Sequence, residues 1–290
     1  MTILTPSFDL TPEQWQRHGG RRALEFAHRL VDEPLLSLEG LAEMADRLKP
    51  EQIEVTAATA PQVMAKRVTT LLGAPGAPTD APSSLVLHAE RDGRWMAMRH
   101  VETVPAYRRL TDGLFGEFCA LVGTDANRAY RPEGYVFIGA TGAVTPAHVD
   151  HEHNLFFQIR GTKHFTTGDF PDAEREHRTF EGMYGEEYGS TNFAPVNAVV
   201  HTLNPGDGLY VPPPALHLVE NTASLAISFS LVFHDADLDR TAKVYAFNAH
   251  LRGAGLSPRP PGASGVADRA KAIAVDGWRV AKPLLGRIRR

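Results

Sequence analysis

Cysteine is nearly absent: Cys119 is the sole example among 290 residues. That excludes an intrachain disulfide framework and any metal site built from several thiolates, and it suits a reducing compartment. Long apolar runs are missing too. The longest are strand-sized, well short of the roughly 20 residues a membrane helix needs, and the opening MTILTPSFDLTPEQWQRHGG lacks the positive start and apolar stretch of a secretory signal. A soluble, cytoplasmic protein with no membrane contact is therefore expected. Neither sign of charge dominates, since 30 Lys plus Arg against 34 Asp plus Glu leave −4. This balance rules out a wholesale polyanion-binding surface and gives no strong nucleic-acid signal. There is no GxGxxG or Walker-type phosphate loop and no alternation of strands with helices, which weighs against nucleotide-binding doubly wound folds. With 43% hydrophobic and 22% charged residues, the composition is that of an ordinary globular protein able to bury a substantial core. The 25 Gly and 21 Pro imply many turns and a strand-rich centre.

The pattern along the chain is mainly β with flanking helices. Residues 11 to about 48 read as helical: Thr11 and Pro12 open one helix, Leu24, Ala27 and Leu30 repeat at helical spacing, and Ser37 caps a second stretch with Leu38, Leu41, Met44, Ala45 and Leu48 on one face. Residues 73–84 form a Gly/Pro/Ala loop read as a surface crossing within one domain, followed by a short strand in SSLVLHAE and a helical passage in VETVPAYRRLTDGLFGEFCALV. From residue 135 short apolar runs alternate with turns, as expected for an antiparallel barrel or sandwich. After residue 235 the helical period returns, and the last twelve residues carry Arg279, Lys282, Arg287, Arg289 and Arg290 without an acid, read as a solvated basic face.

The chemistry concentrates in TPAHVDHEHNLFFQIRGTKHF, residues 145–165. On an extended strand His148 and Asp150 share a face, so an imidazole and a carboxylate can occupy adjacent positions on one metal. His217, in LYVPPPALHLVEN, is the best candidate for a third ligand, because the turn-strand-turn pattern before it can return it to the same barrel mouth. Two histidines and a carboxylate make the facial triad of non-haem Fe(II) sites, which leaves positions open for a cosubstrate and oxygen. The bland alternative is a surface His–Asp pair. A second is a cupin site for another metal, using His151 and His153 with Glu152 or Glu220 and His217. Lys163 follows Gly161 on what reads as the next strand; a lysine buried near a metal needs an anion, and the far carboxylate of a dicarboxylic cosubstrate supplies one. Thr145 offers that carboxylate a hydroxyl, or simply caps the turn.

The run Thr145-Pro-Ala-His148-Val-Asp150, then Asn154, Phe156, Phe157, Ile159, Gly161 and Lys163, and later LYVPPPALHLVEN, resembles the cupin-like JmjC family of Fe(II)/2-oxoglutarate oxygenases. Its motifs are most similar to the branch holding the asparaginyl hydroxylase that modifies hypoxia-inducible factor. The resemblance spans about residues 134–233. It implies a double-stranded β-helix of the jelly-roll or cupin type, with residues 1–234 as the oxygenase domain including N-terminal packing helices, and 235–290 as a helical extension.

Residue by residue, it implies that His148, Asp150 and His217 bind iron, that Thr145 and Lys163 hold the distal carboxylate of 2-oxoglutarate, and that Asn154 orients metal and cosubstrate. O2 would be the other cosubstrate, and the implied reaction is hydroxylation of a peptide, protein side chain or small metabolite, with succinate and CO2 as coproducts. N-demethylation by the same site, or a metal-binding regulatory protein without turnover, are the alternatives. The chain departs from the family at Pro212–Leu216, where relatives carry an aromatic and histidines. A family asparagine after the distal histidine is replaced by Ser228 or Ser230, and the cosubstrate-binding tyrosine of some relatives corresponds to Tyr135 or Tyr107. Residues 168–195, with Tyr184, Tyr188 and Phe193, are expected to form a lid or a solvated insertion. A homodimer is expected through the C-terminal helices, particularly 236–252.

Overall fold

The computed structural model describes residues 6–18, 20, 22–56, 69–123, 129–185 and 191–288. Twelve strands are named in chain order among them: β1 (Leu24–Ala27), β2 (Ile53–Thr56), β3 (Thr69–Leu71), β4 (Trp95–Met98), β5 (Ala129–Ala140), β6 (Val144–His148), β7 (His153–Arg160), β8 (Lys163–Asp169), β9 (Val196–Leu203), β10 (Asp207–Val211), β11 (Leu216–Asn221) and β12 (Leu225–Asp235). The helices are α1 (Pro12–His18), α2 (Leu38–Ala45), α3 (Pro82–Leu87), α4 (Pro105–Val122), α5 (Ala173–Tyr184), α6 (Ala236–Gly253) and α7 (Gly265–Ile288).

The strands make an eight-stranded sheet, ordered β1-β10-β7-β12-β5-β4-β2-β3, and a four-stranded sheet, ordered β6-β11-β8-β9. Their inner faces meet in a small apolar cluster of Phe156, Leu209 and Val211 from the large sheet with Phe165 and Leu203 from the small one. The other face of the large sheet is lined by Phe157, Phe229, Leu231 and Phe233, which pack with the N-terminal helices. Phe233, for example, meets Phe118 of α4 at 5.1 Å between centroids. Alternation along β7 and β12 therefore divides two environments. Odd positions of β12 join the helix-covered core, while even ones, Ser228, Ser230 and Val232, pair with the inward positions Gln158, Phe156 and Asn154 of β7.

Thr11 and Gln14 cap α1 reciprocally, the Gln14 amide N–H donating to Thr11 Oγ1 at 3.2 Å and the Thr11 N–H to Gln14 Oε1 at 2.8 Å. Ser37 caps α2 through the Gly40 N–H at 3.0 Å. Two expectations fail between these helices and β4. Leu24–Ala27 is a strand, because only Phe26 of the four is buried and the segment finds a partner in β10, Tyr210 opposite Leu24. SSLVLHAE is helical rather than extended. Pro82 occupies the first turn, and the carboxylate of Asp46, just past α2, accepts from the Ser83 N–H at 2.9 Å, so adjacent Leu85 and Val86 are both buried on a helix.

The chain divides into two compact units: residues 1–169 with 192–234, and residues 170–191 with 235–290. Of the segment read as a lid, 168–195, residues 170–191 belong to the second unit, while its ends, with Phe193, belong to the first. Much of it is α5, capped by Asp172 and packed through Phe180 and Tyr184 against Tyr245 of α6, at 5.2 and 6.1 Å between centroids. Tyr188 lies outside the described residues, as do the side chains of Arg279, Lys282, Arg287, Arg289 and Arg290. Among the described residues, no helix is long and apolar enough to cross a membrane.

Candidate metal centre

Strands β6 and β11 run antiparallel with His148 directly opposite His217, and the two imidazole rings stand 4.1 Å apart. Each ring is held by the carbonyl two residues earlier. His148 Nδ1 lies 2.7 Å from the Pro146 carbonyl and His217 Nδ1 2.9 Å from that of Ala215. An N–H at Nδ1 donates to each carbonyl, leaving both Nε2 atoms with a lone pair aimed into shared space. The proline turn fixes one of these carbonyls, for Ala215 N–H closes it onto Pro212 O at 2.9 Å. Asp150, just past the end of β6, faces both rings, its oxygens 3.7 Å from His148 Nε2 and 3.5 Å from His217 Nε2.

All three ligand atoms lie within 4.8 Å of one another. Ligands about 2.1 Å from an ion and roughly at right angles stand about 3 Å apart, so small side-chain movements bring this set onto one metal. Burial disfavours the Asp150 carboxylate, but His217 and His148, with smaller contributions from His151 and Arg99, outweigh it and hold its pKa below the ordinary value. Burial, reinforced by His148, pushes His217 down to about 4 against the opposing pull of Asp150. Near neutral pH His217 is therefore the neutral imidazole that metal binding requires.

Register carries this face along the small sheet. β11 pairs with β8 so that His217 opposes Thr167, Val219 opposes Phe165 and Asn221 opposes Lys163. A bulge between β6 and β11 sets Thr145 opposite Val219, which turns Thr145 to the same side as His148 despite their odd separation. The structure thus brings Thr145, His148, His217 and Lys163 onto one inward face. Lys163 is 3% exposed, its ammonium 5.3 Å from the centre of the Phe156 ring. Burial alone drives its pKa down to about 7, so among the described residues no carboxylate is close enough to hold its charge.

On the inward positions of the large sheet, Asn154 Oδ1 and Ser230 Oγ are buried without hydrogen-bond partners among the described residues. Ser230 pairs in register with Phe156. Ser228 Oγ, by contrast, lies 2.8 Å from Gln158 Oε1 and donates its proton there, which leaves Ser230 the one of the two serines with an unused hydroxyl. Tyr135 shares the inward side of β5 with Phe137, and its hydroxyl donates to Glu133 Oε2 at 2.9 Å. Burial first, then Glu152 and Glu133, push that phenol's pKa well up. Tyr107 is committed elsewhere, donating to the carbonyls of Leu35 and, at 3.1 Å, Gly40.

The rival histidine set is not assembled. His153 lies on the opposite face of β7, 2.8 Å from the Tyr210 hydroxyl and stacked on Phe233. His151 is exposed and paired with Glu152 at 2.9 Å, and Glu220, opposite Val144 and His164, points away from His217. Three features had no signal in the sequence. Phe165 stacks on His217 at 5.1 Å. Asn221 stands beside Lys163. Thr167, opposite His217, meets His201 Nε2 at 3.1 Å, and His201 Nδ1 meets Glu25 Oε1 at 2.6 Å. The last contact joins residues 176 positions apart, and no local pattern announces it.

The architecture is a cupin-like barrel with flanking helices, the fold of JmjC oxygenase structures. Residues 114–238 match a family model described as a cupin-like domain. The JmjC domain-containing protein D of Dictyostelium discoideum is 29% identical over 150 residues, covering 45% of this chain and 32% of that protein, so the match spans about a third of the relative's length. Among solved structures, YcfD of Escherichia coli is similar with a TM-score of 0.53 at 14% identity, over 96% of this chain and 70% of that one. The ribosomal oxygenase YcfD in complex with cobalt and 2-oxoglutarate gives a TM-score of 0.50 at 13% identity, over 94% and 67% of the two chains.

Proposed function

We propose that this protein is an Fe(II)- and 2-oxoglutarate-dependent dioxygenase that hydroxylates an unactivated C–H bond of a peptide, a protein side chain or a small metabolite. The observation that carries the reading is the shared face of β6, β11 and β8, where a His–Asp–His set stands with a buried lysine that has no carboxylate partner among the described residues. Structurally similar YcfD is described in complex with cobalt and 2-oxoglutarate and with cobalt and succinic acid, which supports the same ligand classes here.

His148, Asp150 and His217 would hold the iron, and Lys163 with Thr145 the distal carboxylate of 2-oxoglutarate. The orphaned Asn154 Oδ1 and Ser230 Oγ fit a polar ligand between the sheets, because buried polar atoms without partners are costly unless something completes them. Iron, 2-oxoglutarate and O2 together supply the oxidising chemistry, with succinate and CO2 as coproducts. The protein's share is placement. The Pro146 and Ala215 carbonyls keep both imidazoles in the Nδ1–H tautomer, Phe165 fixes the His217 ring, and Phe156 walls the lysine off from water. Purified protein given Fe(II), 2-oxoglutarate and a library of peptides and metabolites should form succinate, and Asp150→Ala should abolish it. Failure of the anaerobic protein to bind both Fe(II) and 2-oxoglutarate would sink the proposal.

A further inference from the structure

Asn221 is a buried primary amide, 5% exposed, at the end of β11 directly opposite Lys163. Its side chain lies against the end of β5, at the turn into β6. A Cβ on Gly139 of β5 would stand 2.0 Å from Asn221 Nδ2, so a glycine is required there for the amide to fit. The backbone of Asn221 is fully used, its N–H donating to Ala143 O at 2.8 Å and its carbonyl accepting from Gly142 N–H at 2.9 Å. Its side-chain Nδ2 donates one long hydrogen bond, to the Ala140 carbonyl at 3.5 Å, at the outer limit for such a bond, and its second N–H remains for a ligand. A buried amide with an N–H to spare, opposite in register a buried lysine that has no carboxylate partner among the described residues, makes a pair of neighbouring cationic and neutral donors, the arrangement that recognises a carboxylate.

We propose that Asn221 is a further cosubstrate-binding residue, its amide donating to the distal carboxylate of 2-oxoglutarate alongside Lys163, with Gly139 conserving the space the amide needs. This rests on the oxygenase reading above. The purely structural role for Asn221, securing the turn between β5 and β6, predicts no dependence on what the ligand carries at its far end.

The test is calorimetric titration of full-length Mn(II)-loaded protein with 2-oxoglutarate and with 2-oxobutyrate, which shares the keto acid but lacks the distal carboxylate. Asn221→Ala should bind 2-oxoglutarate about tenfold more weakly and 2-oxobutyrate as the wild type does. Gly139→Ala, which displaces the amide while keeping Asn221, should show the same selective loss. Asn221→Asp should lose about a hundredfold or more, because the new carboxylate takes Lys163 for itself. Unchanged 2-oxoglutarate binding by Asn221→Ala, or an equal loss for both ligands, would overturn the inference while leaving the oxygenase reading standing. A wild-type protein that binds Mn(II) but neither keto acid would overturn both.

Discussion

Lys163 is the residue whose chemistry is most altered by burial. Its pKa of about 7, set against an ordinary lysine near 10.4, means the folded protein binds fewer protons there than the unfolded chain between those limits. Its contribution to stability is therefore most favourable above the unfolded value, falls as pH drops toward 7, and is least favourable below that. A dicarboxylate bound at the lysine reverses this by restoring the ammonium. Binding of 2-oxoglutarate at pH 8 should accordingly take up close to one proton per site, falling toward zero near pH 6, as titrations in buffers of different ionisation enthalpy would read directly. No proton linkage at pH 8 would mean that the ligand does not reach Lys163.

At the triad, Asp150→Ala and His217→Ala should each weaken Mn(II) binding by about a hundredfold or more, because each removes one of three protein ligands. His151→Ala should change it less than threefold, since that imidazole is exposed and paired with Glu152. Equal losses in all three variants would point to a different ligand set. His148 and Asp150 were legible as a pair because residues two apart on an extended segment share a face, while His217 and Lys163 were found from the turns that precede them and from the motif resemblance. Thr145 needed a bulge that no pattern reveals, and Asn221 acquires meaning only once Gly139 leaves room for its amide at the end of β5.

Among the elements, the turn between β7 and β8 does most to aim the lysine. Gly161 has φ of +70°, and a Cβ there would meet the Leu225 carbonyl oxygen at 2.3 Å. Gly161→Ala should therefore cost about 2 kcal/mol or more, from the left-handed backbone and the clash with a backbone atom that cannot swing aside. It should also weaken 2-oxoglutarate binding by shifting the start of β8. Denaturant midpoints would measure the first effect, and a stability within about 0.5 kcal/mol of wild type would show that the turn relaxes freely. The long runs β5, β7, β8, β9, β10 and β12 were readable from alternation, and α2, α4, α6 and α7 from caps and helical period. The two misread elements, β1 and α3, are 4 and 6 residues long. At that length periodicity cannot choose between helix and strand; a distant partner strand decides one, and the Asp46 carboxylate decides the other.

At the scale of the whole molecule, sequence order and structural membership part company. Residues 170–191 lie between two barrel strands but belong with the C-terminal helices, a grouping invisible to any reading along the chain. α6, from which a dimer contact was expected, buries Val244 and Tyr245, while among the described side chains of α7 the exposed large apolar ones are Val266, Ile273 and Trp278.

The second unit is held by an ion pair that links its separate segments. Glu181 of α5 is 4% exposed, and both of its oxygens take N–H donors from Arg252 of α6, one at 2.9 Å. Arg252→Ala would leave that carboxylate buried and unpaired, a loss of about 3–5 kcal/mol, whereas Arg252→Met combined with Glu181→Gln should recover much of it by removing both charges. The proposed metal and cosubstrate ligands all lie in the first unit, so Mn(II) and 2-oxoglutarate affinities of Arg252→Ala should stay within about twofold of wild type below its melting transition. Calorimetric melting with parallel ligand titration separates these effects. A melting profile unchanged by Arg252→Ala would show that α5 is not secured by this pair.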